Sequence, residues 1–571
     1  MVKLERIKSI CLIAFFAILW LLLAVKTLPM VFMTNDDASI QATLSGIQIG
    51  NSYPYHQFIN SILGFFISVL YYIIPSIPWW YAWSIYCVLI GIICIQWTVF
   101  KTASHKIEAI LFVAIFGLSF WIYVLGNIAF TVVPCIVVLG VVFLLFSKDY
   151  TNWNYLLVII ASIVILISSW HRQSTGMVMF CYFAMALLYY VSSCVDLDMK
   201  HRSLRYVGVL GIVFILMFAS SEIDQILKEQ RDSDEFRAYN SARVAYMDYP
   251  HVSYKDNPDV YKAFGWDENI TSLVNSWCFL DERVTAEAFS TIAAAEVEHK
   301  ISDSENDIVE ENFFMPLLNL IENNEFADIW THMIVCILIL GEVYICLCDF
   351  VKSKINFFYV SNVVGSIILV LYLIARERLP LRAYMIILIP TFLISCLLLI
   401  KVHRIAEVKH NILWYAFIGV LLMFAVPSFL CNYDAESIEK KVYTIENCNA
   451  IDSYLNGNSE NIYISDFSVY NSIYPFAQTP VNLIHWGGST FHSEQFYLHL
   501  QKNGLSELNM ETFKQENVYF VTKGAGPEEY SKTACRILKC LEDYGAIGME
   551  RLDVINGTCD VYKFYFEEML E

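Results

Sequence analysis

Charge is what this sequence has least of. Only 16% of its 571 residues are Asp, Glu, Lys or Arg, against 57% hydrophobic and 15% aromatic, a balance that excludes an ordinary soluble domain. The formal net charge of −19 leaves no concentrated basic face and so excludes nucleic acid as a partner. Gly-rich phosphate loops, zinc-type Cys/His spacings and a Gly-x-Ser-x-Gly elbow are all missing, which sets aside the common soluble catalytic motifs. Internal repeats and low-complexity tracts are missing too. No small-residue cleavage site follows the first apolar run, "ICLIAFFAILWLLLAV", so that run reads as a retained helix and not as a signal peptide. Sixteen cysteines are present. Most sit inside apolar runs, where a thiol behaves as a small hydrophobe. Cys431, Cys448, Cys535, Cys540 and Cys559 lie near the C-terminus with no metal spacing, and a disulfide among them stays open.

What is present is a series of apolar runs close to the ~20 residues that span hydrocarbon. They fall at about 10–32, 80–100, 108–126, 128–147, 154–170, 174–194, 205–221, 330–350, 356–375, 383–400 and 412–430. The fold class expected is therefore a polytopic α-helical membrane protein of about eleven spans. A further run at 58–75 decides the topology. If it does not cross, the basic clusters at Lys101 and Lys106, Lys148, Lys200 to Arg205, Lys352 and Lys354, and Lys401 to Lys409 all share the side of Lys3, Arg6 and Lys8, as the positive-inside rule asks. Asn60, Ser61, Gly64, Ser68 and Tyr71 form a small polar stripe at helical spacing in that run, which suits a helix in the outer interface.

This orientation puts the N-terminus inside and the C-terminus outside. It leaves three external pieces, 33–79, 222–329 and 432–571, of which the first two belong to a membrane domain 1–431. The last is long enough to fold as a small α/β domain. Within it "NIYISDF" and "NVYFVTK" read as strands, "SKTACRILKCLEDYG" as an amphipathic helix and "CDVYKFYF" as a closing strand.

Three features gather on the external side. "VFMTNDDASIQATLSG" at 31–46 sets Asp36 and Asp37 directly after the first span, where they also suit a first helical turn. "WHRQSTG" at 170–176 puts His171 and Arg172 between two spans, and "ARERLPLRAY" at 375–384 puts Arg376, Arg378 and Arg382 in one short turn. Three arginines in an external turn oppose the topology signal, and guanidinium forks bind phosphate bidentately. An acid facing several arginines on one membrane face has the parts for group transfer from a phosphate-linked donor.

That order of elements resembles the GT-C superfamily of polyprenyl-phosphate-sugar-dependent glycosyltransferases, especially the branch of protein mannosyltransferases and lipid A aminoarabinose transferases. Its Asp-Glu-Ala-like stretch after the first span reads Asp36-Asp37-Ala38 here, so the resemblance implies that Asp36 is the catalytic acid with Asp37 beside it. Where relatives carry a His-Pro-Pro-Leu-like sequence, this chain has Tyr55-His56-Gln57-Phe58. "SARVAYMDYP" and "RERLPLR" are also similar to phrases of bacterial multispan proteins of the same plan. The resemblance implies an inverting transfer of a sugar from a polyprenyl-phosphate donor to a glycan, lipid or protein of the cell envelope, at a bacterial plasma membrane. Arg376, Arg378, Arg382 and Arg172 would hold the donor phosphate, and His56, His171 and Arg243 would touch substrate. No cofactor is implied, although a divalent cation stays open. Three alternatives remain at this point: a polymerase or ligase of undecaprenyl-diphosphate-linked glycans, a transporter of anionic lipid or polysaccharide, and a noncatalytic assembly protein.

Overall fold

The computed structural model describes residues 2–147, 153–194, 197–249, 251–295, 314–350, 353–376, 379–406, 411–432, 435–469, 473–477, 480–526 and 529–567. Nine described helices are long and apolar enough to cross a membrane, and the shorter apolar helices Val132–Phe146 and Tyr155–His171 coincide with the two other expected spans. Each expected run is helical. The bundle is centred on Val132–Phe146 and Leu381–Ile405, whose residues are nearly all buried. Lys354–Ala375 and Met199–Glu229 lie at its periphery with long apolar faces exposed. Basic residues gather at one end, where Arg404 donates to the Lys101 carbonyl and Lys354 to Tyr189 and Ser193. Asp36, Arg172 and Arg382 occupy the other.

The run at 58–75 forms the helix Ser61–Ile73, about 20 Å long at 1.5 Å per residue and too short to span hydrocarbon. Its small polar stripe faces inward. Ser61, Gly64, Ser68 and Tyr71 are buried while Phe65, Phe66, Val69 and Tyr72 are exposed. Gly64 is required there, since a Cβ would lie 2.0 Å from the Pro54 carbonyl oxygen. Asp224 accepts from the Ser61 backbone and hydroxyl at 2.7 and 2.6 Å, and Lys228 donates to the Ile59 carbonyl at 2.8 Å. These bonds tie the short helix to the C-terminal end of Met199–Glu229.

A two-residue parallel ladder joins β1 (Val31–Phe32) to β2 (Asn127–Ile128). The C-terminal domain contains a five-stranded sheet of β3 (Ile462–Ser465), β4 (Leu483–His485), β5 (Val518–Lys523), β6 (Ala546–Ile555) and β7 (Cys559–Phe566), in the order β4-β3-β5-β7-β6. The first three are parallel, and β7 and β6 complete it antiparallel. Helix Lys532–Leu541 packs on it by a buried face of Ala534, Ile537, Cys540 and Leu541. Residues 239–292 share a single core with 462–566, so that part of the segment 222–329 is built into the sheet domain. No disulfide joins cysteines among the described residues.

The sheet domain docks on the segment 33–79 through polar contacts. Tyr53 donates to Glu494 at 2.7 Å, Gln495 to Thr43 at 2.7 Å and Gln41 to the Pro475 carbonyl at 2.6 Å. A cavity of about 760 Å³ remains between them.

Candidate active site

The cavity wall on the membrane side begins with the helix Asn35–Ser45. Thr34, in extended conformation, occupies its N-cap, and both acids fall in its first turn, where the helix dipole favours negative charge. The two acids diverge from there. Asp36 lines the cavity and accepts from the Arg382 guanidinium at 2.7 Å, each side chain about one-fifth exposed. Asp37 points the other way and is fully buried. Its carboxyl accepts from Trp80 Nε1 at 3.1 Å and from the Phe130 backbone N–H at 3.2 Å. Burial pushes the Asp37 carboxyl up to about 8, against the lowering effect of those two bonds. Asp37, expected beside Asp36 as a second catalytic acid, does not line the cavity that Asp36 faces.

The Asp37 carboxyl holds the backbone of Phe130, which follows β2. The Arg172 guanidinium carbon lies 5.0 Å from the centre of the Phe130 ring, and that of Arg382 lies 5.8 Å from it. Arg172 is also 5.7 Å from the Phe58 ring. Cations over ring faces are held there by the ring quadrupole. Arg172 sits at the extended corner that ends Tyr155–His171 and starts Gln173–Ser193, with φ −159. Arg382 is the second residue of Leu381–Ile405, a helix at the centre of the bundle. Two guanidinium groups thus converge on one ring beside one carboxylate.

The two described arginines of the turn 375–384 separate. Arg376 caps the peripheral helix Lys354–Ala375, is exposed, and donates to the Tyr249 hydroxyl at 3.3 Å, away from the cavity. Arg378 lies outside the described residues. His56 and His171, expected to touch substrate, are both buried and off the cavity wall. The Phe58 backbone N–H donates to His56 Nδ1 at 3.2 Å and Ser39 Oγ lies 3.2 Å from Nε2, so a neutral ring donating from Nε2 satisfies both contacts. Burial lowers its pKa to about 3. His171 Nε2 accepts from Trp83 Nε1 at 2.7 Å. Both histidines hold the scaffold together.

The outer wall comes from the sheet domain. Phe467 follows β3, while His485 ends β4 and runs into Gly487, Gly488, Ser489 and Thr490, so the wall lies at the carboxyl ends of parallel strands, the usual ligand side of such sheets. His485 is stacked on Phe467 and burial lowers its pKa to about 4, with His499 adding to the effect. Arg243, on the helix Asp234–Met247, also lines this wall, and burial lowers its pKa. Phe130, Trp277, Phe467 and the loop 487–490 were not singled out in the sequence. The Gly-Gly pair after an apolar run was the one available signal. Among the described residues no group of His, Cys, Asp and Glu is placed to hold a metal ion.

No family model and no curated protein matches this chain. Its fold has weak counterparts among solved structures. One is the oligosaccharyltransferase of Archaeoglobus fulgidus, solved as a complex with zinc and sulfate, at 11% identity and TM-score 0.41 over 89% of this chain and 68% of that one. Another is ArnT from Cupriavidus metallidurans, at 10% identity over 96% of this chain and 97% of that one. Its TM-score is 0.36 for the apo form and 0.37 for the form bound to undecaprenyl phosphate. Similarities of this size assign neither residues nor a reaction.

Proposed function

We propose that the protein is a membrane-embedded glycosyltransferase that moves a sugar from a polyprenyl-phosphate donor to a cell-envelope acceptor on the extracytoplasmic face. The observation that carries this reading is the pair of guanidinium groups, Arg172 and Arg382, gathered on Phe130 with Asp36 as the carboxylate partner of Arg382, at the outer end of the spans and in a cavity. Two guanidinium groups on one ring, beside a cavity, offer an anion two forked sets of donors. A lipid phosphate arriving at membrane level would find a bidentate donor in each arginine.

The ion pair gives the reaction an order. In the resting protein Asp36 is held by Arg382. A donor phosphate competes for that guanidinium and frees the carboxylate. Asp36 then takes the proton of an acceptor hydroxyl as its oxygen bonds to the anomeric carbon. The bond from that carbon to the phosphate oxygen breaks, its electron pair leaves on the phosphate, and the arginines stabilise the charge that develops. Attack opposite the leaving group inverts the anomeric centre. The positive-inside distribution supports an inside N-terminus and an outside C-terminus, and the resemblance of Asp36-Asp37-Ala38 to the superfamily stretch supports a bacterial plasma membrane protein.

The reading is tested by lipid binding to the purified protein in nanodiscs. Undecaprenyl phosphate binds and undecaprenol does not, and Arg382→Gln weakens phosphate binding at least tenfold. Equal binding of the two lipids would refute the assignment of the arginines.

A further inference from the structure

The outer wall of the cavity carries a cation that the chemistry at Asp36 leaves unused. Arg243 is 3% exposed. Its Nε and one terminal nitrogen donate to Asn240 Oδ1 at 3.1 and 2.7 Å, and its guanidinium carbon lies 5.3 Å over the Trp277 ring. That neutral amide is the only hydrogen-bond acceptor it meets among the described residues. Asp248 lines the same cavity and its field acts on Arg243, yet no ion pair joins them. A buried guanidinium without a carboxylate is costly unless a counter-ion arrives.

Backbone donors lie beside it. Gly487, Gly488, Ser489 and Thr490 line the cavity, and the N–H groups of these four consecutive residues have no acceptor among the described residues. Gly487 is buried, so water does not readily replace the missing partner. The loop touches the Arg243 platform directly, because a Cβ on Gly487 would lie 1.9 Å from the Trp277 carbonyl oxygen. Trp277 is itself strained. It takes φ +66 after the helix Glu268–Asn275, with its N–H bonded to the Val274 carbonyl at 2.8 Å and that of Cys278 to the Leu273 carbonyl at 3.0 Å. Glycine normally fills that capping position, and a bulky side chain held there marks a site where strain is tolerated for use.

A forked cation and a run of unpaired N–H groups around one recess make a concavity for an anion. We infer that Arg243 and the loop 487–490 form a second anion subsite, distinct from the Arg172 and Arg382 pair, that holds a carboxylate or phosphate group of the acceptor. Its assignment to the acceptor rests on the transferase reading. The acceptor is accordingly acidic, a uronate-containing or phosphorylated envelope component.

The test is equilibrium dialysis of the full chain in zwitterionic nanodiscs, with and without undecaprenyl phosphate, against three radiolabelled probes: a glucuronate-containing disaccharide, glycerol phosphate and maltose. At least one anionic probe binds ten times more tightly than maltose, also in the presence of the lipid. Arg243→Gln removes that preference, whereas Arg243→Lys keeps part of it and shows that the fold survives the change. Preference for the uronate identifies a carboxylate ligand, and preference for glycerol phosphate identifies a phosphate. Binding no better than maltose, or an Arg243→Gln protein with unchanged anion affinity, overturns the subsite. Failure of undecaprenyl phosphate to bind would count against the transferase reading alone, because the anion titration is read without it.

Discussion

Replacing Asp37 by Asn tests whether this buried acid acts through its burial. In the folded protein burial raises the Asp37 pKa from 3.8 to about 8, so folding binds a proton more tightly than the unfolded chain does. The favourable contribution of this group is then complete below about pH 4, declines as pH rises, and is exhausted above about pH 8. At pH 7 the loss relative to a group that never ionises is about 4 kcal/mol, at ~1.4 kcal/mol for each pH unit above the unfolded value. Asparagine escapes that loss but cannot accept from both Trp80 and Phe130, which forfeits one buried bond worth roughly 1–3 kcal/mol. Asp37→Asn is therefore expected to be about as stable as wild type near pH 5 to 6 and more stable at pH 8, with a difference that stops growing above that. Thermal unfolding of both proteins in nanodiscs between pH 5 and pH 9 measures it. A difference that does not change with pH, or one that turns against the variant as pH rises, would refute the reasoning.

Asp36→Asn is expected to slow sugar transfer about 10²–10⁴-fold, the usual contribution of a positioned base. It should cost about 1 kcal/mol or less of stability, because its ion pair is partly exposed, and turnover with parallel unfolding curves checks both. Gly487→Ala forces a Cβ onto the Trp277 carbonyl oxygen, 1.9 Å away, and is expected to destabilise the sheet domain by roughly 1–3 kcal/mol, read as a lower unfolding midpoint. Arg376→Ala removes an exposed contact to Tyr249 and is expected to leave transfer within about twofold, with an unchanged unfolding midpoint as the check on the fold.

The membrane half of this architecture was legible because hydrophobic length is a local signal. Every expected span is a helix, and the polar stripe of 58–75 foretold the face that Ser61–Ile73 turns inward. The acids of 31–46 were equally visible, but their division of labour was not. Neighbours in a helix point about 100° apart, and which one meets Arg382 depends on a contact across 346 residues. The same limit applies to "ARERLPLRAY". Arg376 ends a peripheral helix and Arg382 begins a central one, a difference of tertiary position that composition does not carry. The short strands β1, β2 and β4 are only two or three residues long, below the length at which alternation can be read. The outer wall was missed with them, since its members come from residues 240–277 and 467–499 and are gathered by one shared core.

The central claim is that Asp36 and the two arginines transfer a sugar from a polyprenyl monophosphate. It is tested most directly by incubating the protein in nanodiscs with radiolabelled polyprenyl-phosphate sugars and envelope extract, for wild type, Asp36→Asn and Arg382→Gln. The account predicts transfer of one such sugar by wild type and its loss in both folded variants. Consumption of diphosphate-linked glycans with no turnover of any monophosphate donor, or full activity of Asp36→Asn, would contradict it.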